Sequence, residues 1–202
     1  MHRITVVTGT CSVLGGAAWT VACFAQNTLP QGCIGDGCDT RPMRGSSATA
    51  TAVGSVGFVC LAVAAVGLLL LSREGATLGG AARAGLVTGA AGMGLLVVAQ
   101  VVSWLANDWE GMPGLVVPGV VLLVAGFAIL AWTVLRSGVL PRWLAVLLLA
   151  TAVLMLGANE QTTRILLAVP FGLTWVLVGA VLLRRGRAAE QESGRTAAGS
   201  RA

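Results

Sequence analysis

The chain is predicted to be all-α: a six-transmembrane-helix up-and-down bundle with both termini cytoplasmic, short loops and one disulfide-clasped outer loop. Three observations carry that prediction. Of 202 residues, 56% are hydrophobic and 10% charged, with a mean hydropathy of +0.86, whereas a soluble domain carries roughly 25% charged residues. Six apolar runs approach the ~20 residues needed to cross a hydrocarbon core about 30 Å thick. The arginines alternate in number from one joint to the next, as the retention of basic flanks on the cytoplasmic side requires.

The runs are Ile4 to Gln26, Ala48 to Leu71, Ala82 to Ala106, Leu115 to Leu135, Trp143 to Ala158 and Ile165 to Leu183. The fifth is short, so it is expected to extend beyond Asn159 or to tilt. Turn residues punctuate the joints: NDWEGMPG from Asn107, RSGVLPR from Arg136 and NEQTTR from Asn159. Short joints imply antiparallel neighbours. On the side of the N-terminus stand Arg3, Arg73, Arg83, Arg136, Arg142, Arg184, Arg185, Arg187, Arg195 and Arg201, against Arg41, Arg44 and Arg164 on the other. Asp36, Asp39, Asp108, Glu110 and Glu160 fall on that second side, so the outer face is net acidic.

Residues 1–183 form one transmembrane domain in this reading, and 184–202 a basic, disordered cytoplasmic tail. The first run is too long for a signal-peptide core and lacks a small-x-small site before Gln26, so no cleavage is expected. All 13 basic residues are arginine. That bias points to a G+C-rich bacterial genome and hence to a bacterial plasma membrane.

The outer loop 27–46 contains QGCIGDGCDTRPMRG. Outside the cell, Cys33 and Cys38 are expected to be disulfide-bonded, with Gly35 and Gly37 permitting the tight return. Arg41 and Arg44 stand ready to pair with Asp36 and Asp39 at the surface. No metal is expected, because zinc needs more than two thiols and the single histidine, His2, lies on the opposite side. A redox centre would need a second thiol pair at the same surface, and only Cys23 lies near it.

Helix three places Gln100, Ser103 and Asn107 on one face leading outward to Asp108 and Glu110. Asn159, Glu160 and Gln161 stand at the same level. These residues define a candidate outward pocket in which Gln100, Ser103, Asn107, Asn159 and Gln161 bind a ligand. If the protein is an enzyme, Asp108, Glu110 and Glu160 supply its acid and base, since carboxyls in a partly dry pocket take different pKa values. The alternative is a set of solvated turn residues and caps. No charged residue or histidine lies mid-helix, which weighs against a proton relay. The G-x-x-x-x-G-K-[ST], H-E-x-x-H and G-x-S-x-G patterns are all missing. Gly85, Gly89, Gly92 and Gly94 could pack a neighbouring helix within the chain or a second copy.

Two segments, LRSGVLPRWLAVLLL from Leu135 and LAVPFGLTWVLVGAVLL from Leu167, resemble the last helices of uncharacterised multi-helix membrane proteins of G+C-rich bacteria. The resemblance covers the C-terminal third and implies no activity. The function expected is therefore binding, at the outer face, of a membrane-protein partner or a small amphipathic, lipid-like ligand. The alternative is a membrane-embedded enzyme acting on an isoprenoid or lipid, and a small-molecule permease comes third. The lipid bilayer is the one obligatory partner. A homodimer is open, no cofactor is implied, and nucleic acid is not expected.

Overall fold

The computed structural model describes residues 2–33, 44, 45, 47–72, 80–106 and 112–199. They form six α-helices, with no strand among the described residues. These are α1 (His2–Asn27), α2 (Ala48–Ser72), α3 (Gly80–Ala106), α4 (Met112–Ser137), α5 (Arg142–Leu154) and α6 (Val169–Gly199), with 3-10 turns at Met155–Gly157 and Thr163–Ala168.

Five stretches are long and apolar enough to cross a bilayer, namely Arg3–Asn27, Ala48–Ser72, Gly80–Ala99, Gly114–Ser137 and Thr163–Ala188. The sequence predicts six, and the remaining apolar helix is the short α5. The 13 residues of α5 rise about 20 Å and the turn after it adds about 6 Å, so Arg142–Gly157 falls a few Å short of a ~30 Å core. The expected extension beyond Asn159 is also absent. There the chain turns on its own polar atoms: Gln161 N donates to Asn159 Oδ1 at 2.8 Å and Thr162 N to Asn159 O at 3.2 Å. The opposite departure occurs at the C-terminus. The segment after Arg184, expected to be disordered, continues α6 to Gly199, being rich in the good helix formers Ala, Arg, Glu and Gln.

Helix α1 lies between α2 and α6, α3 packs on α4, and α5 sits between α4 and α6. Close approach sets the α1–α6 seam. Gly9 faces Gly179 and Gly16 faces Gly172, and a Cβ on Gly16 would run into the Gly172 carbonyl. This pairing makes α1 and α6 antiparallel, so the start of α1 and the end of α6 share one end of the bundle. The α3 glycines are used inside the chain: Gly85, Gly89 and Gly92 lie against Gly119, Leu123, Gly126 and Ile129 of α4, while Gly94 touches nothing.

Aromatic rings tie four helices together at the centre. Phe58 of α2 meets Trp19 of α1 at 5.0 Å between ring centroids, and Trp19 meets Phe171 of α6 at 6.0 Å. Phe171 and Trp175 then flank Phe127 of α4 at 5.0 and 5.8 Å. All are edge-to-face contacts, the arrangement that ring quadrupoles favour. Trp175 and Phe171 are fully buried.

Candidate functional site

At the end of the bundle away from the termini, the chain between α1 and α2 is fastened onto the α5–α6 joint. Helix α1 stops where Thr28 N turns back to Phe24 O at 3.2 Å and Leu29 N to Gln26 O at 3.2 Å. The buried Gln26 side chain then holds the start of α2. Its Nε2 donates to Gly45 O and its Oε1 accepts from Ser47 N, both at 3.1 Å. Ser47 in turn caps α2, its Oγ accepting from Ala50 N at 3.3 Å, which satisfies one of the otherwise unpaired first N–H groups.

Arg44 is the centre of this cap. Only 4% of it is exposed, and its guanidinium donates to three main-chain carbonyls: Nε to Pro30 O at 2.8 Å, and Nη1 to Glu160 O at 2.9 Å and Thr162 O at 3.3 Å. Its own N–H donates to Gln161 Oε1 at 2.6 Å. Gly32 N donates to Gln161 O at 2.8 Å, and only a glycine fits there, since a Cβ would overlap Gln161 Oε1 and Arg44 N. Residues 30, 32 and 44 of one connection are thus bonded to 160–162 of another. Arg44 was expected at the surface beside Asp36 and Asp39. Instead it is buried, because the fork of a guanidinium can serve several carbonyls at once. Asp36, Asp39 and Arg41 lie outside the described residues.

Among the described residues, Glu160 is the one carboxylate in this cap. Its side chain keeps contact with solvent, yet the protein packed around it pushes its carboxyl above the usual carboxylate range, and the neighbouring Arg44 charge opposes that shift only in part. Solvent contact limits the effect. Asn159 and Gln161 use their side chains within the fold, the first to shape the turn and the second to hold Arg44. Asn27 Oδ1 is buried with no hydrogen-bond partner among the described residues.

The other candidates fall elsewhere. Asn107, Asp108 and Glu110 lie outside the described residues, as does Cys38. Gln100 and Ser103 belong to α3, which packs on α4 and grazes α2, apart from the α5–α6 joint. The described residues therefore gather Glu160, Asn159 and Gln161 with Gln26 and Arg44 rather than with α3. Cys33 is buried beside Gly32 at the edge of the cap. Among the described residues no group of three metal-ligating side chains occurs. No family model, curated protein or solved structure matches the chain.

Proposed function

We propose that this is a six-span bacterial plasma-membrane protein, both termini cytoplasmic, whose outer cap binds a membrane-protein partner or a small amphipathic ligand. The observation that carries the reading is the pinning of the outer loop by buried Arg44 to three carbonyls. Loop ends fastened before binding lose little entropy on binding, which is how a recognition surface gains affinity. Asn27 Oδ1, an acceptor without a partner among the described residues, offers a place for a donor on the ligand. The Cys33–Cys38 clasp belongs to the same proposal. That Cys33 is not among the free thiols Cys11, Cys23 and Cys60 supports this pairing.

Glu160 favours a second reading, a membrane-embedded enzyme on an isoprenoid or lipid. A carboxyl whose proton is held more tightly than usual by the protein packed around it suits the role of acid, with Asp108 and Glu110 as the bases.

A photo-crosslinking residue at Gln31, in cells producing the full chain, tests the first reading. A discrete adduct lost in Arg44→Gln and absent when the crosslinker replaces Arg142 supports a binding cap. Adducts equal at both positions refute it. Loss of lipid turnover in Glu160→Gln, with unchanged thermal stability, would favour the enzyme.

A further inference from the structure

The end of the bundle that holds the termini carries a separate feature. We infer that the turn joining α4 to α5 is a binding site for the phosphate headgroup of an anionic phospholipid. Three guanidinium groups surround this turn. Arg136 ends α4, Arg142 begins α5, and Arg185 reaches across from α6 to donate from Nη1 to Val139 O. No acidic residue occurs between Glu110 and Glu160 in the sequence, so no carboxylate of the α4–α5 segment neutralises them.

The turn is also rigid. Ser137 Oγ donates to Val134 O at 3.0 Å and accepts from Val139 N at 3.5 Å. Gly138 has φ +70, with open space where a side chain would stand. Pro141 is the N-cap residue of helix α5 and offers no side-chain cap. The helix's backbone bonds start with Leu144 N and Ala145 N donating to Pro141 O, so among the described residues the N–H groups of Arg142 and Trp143 have no partner and can meet an oxyanion. Arginine forks match phosphate oxygens in the same way.

Two tryptophans place the site at headgroup depth. Trp132 is 48% exposed and Trp143 58%, and interfacial tryptophans sit where acyl chains meet headgroups. Arg136 stacks on Trp132, its Cζ 4.7 Å from the ring centroid, which holds that guanidinium at the interface rather than out in water. Fixed cations, unpaired N–H groups and aromatic flanks together describe a lipid phosphate rather than a freely diffusing one, because a soluble anion gains nothing from the tryptophans.

The test uses full-length protein in vesicles of phosphatidylcholine with one-fifth phosphatidylglycerol, either lipid being brominated near its headgroup. Quenching at the turn is the difference between wild type and the Trp132→Phe/Trp143→Phe variant. It should favour brominated phosphatidylglycerol about tenfold over its mole fraction. That preference should fall with added salt and drop roughly fivefold for each of Arg136→Gln, Arg142→Gln and Arg185→Gln. Arg164→Gln, at the opposite end, should leave it unchanged. Quenching in proportion to mole fraction, or a preference that survives the three substitutions, overturns the site. Equal displacement by millimolar inorganic phosphate overturns the lipid as its occupant. Should a glutamine variant fail to insert, the salt dependence of the wild type and partial retention in the arginine-to-lysine variants decide the matter.

Discussion

Arg44 stands on the side of the bundle where arginines are scarce, and that scarcity is the signal by which it could have been found. An arginine kept at that end against the expected topological bias needs a reason beyond orientation. Here the reason is three carbonyls that no other side chain satisfies. Removing the guanidinium takes the hydrogen bond from Pro30 O and Glu160 O and leaves Thr162 O with Ile165 N alone. Arg44→Met is expected to cost about 2–4 kcal/mol, since hydrogen bonds to charged groups contribute ~1.5–3 kcal/mol each but share one side chain. Arg44→Lys should recover little, because an ammonium lacks the fork. Thermal unfolding in detergent reads both. Glu160 gives a second expectation at this scale. Its carboxyl is raised in the fold, so the protonated form is favoured there; the stabilisation is fully present below the unfolded value of about 4.5 and is lost as pH rises through the higher folded value. Wild type should therefore lose melting temperature between acidic and neutral pH relative to Glu160→Gln. Parallel pH profiles for the two would refute it. Side-chain amides such as Gln161 were legible as polar residues at the outer level. Their bonding was not, because it depends on which distant carbonyls the bundle brings near, and sequence spacing carries no such information.

At the scale of helices, the apolar runs marked four of the six elements closely, α1 to α4, because hydrophobic length is a local property. The two departures have local causes that hydropathy does not see. Helix α5 ends early because Asn159 and Gln161 supply a turn that competes with further helix. Helix α6 runs on because polar residues after Arg184 still favour the helical backbone. The seam of α3 was legible as glycine spacing but not as a partner, and the α1–α6 seam emerged only in the fold. Gly16 shows what the spacing means physically, as its α-carbon lies where the Gly172 carbonyl leaves no space for a methyl group. Gly16→Val is expected to destabilise by about 1–3 kcal/mol through forced separation of α1 from α6, while Gly94→Val, which meets nothing, should be near neutral. Unfolding of the two variants by titration with a denaturing detergent distinguishes them. Equal effects would mean that the seam tolerates widening.

For the whole molecule, five helices are of span length, and the six spans proposed above need α5 as well. Antiparallel packing of α1 on α6 puts the start of one and the end of the other at the same end. The Arg185 contact with Val139 places the α4–α5 turn there too. The joint fastened by Arg44, following α5, is at the far end. A chain arranged in this way requires α5 to traverse the bundle despite its shortfall of a few Å. The bilayer can absorb that mismatch by thinning locally, at a cost of fractions of a kcal/mol per Å. Flanking α4 and α6 also shield α5, and its polar turn packs on protein instead of lipid, the condition under which irregular backbone is tolerated at depth. The expectation is specific. Arg142→Cys and Arg164→Cys, both at exposed positions, should react with a membrane-impermeant maleimide from opposite sides of a sealed vesicle. Arg142→Cys should share its side with a cysteine added after Ala202. Labelling of both arginine positions from one side would make α5 a re-entrant segment and would require α1 and α6 to enter the bilayer from the same face and run parallel, which their antiparallel glycine seam does not permit.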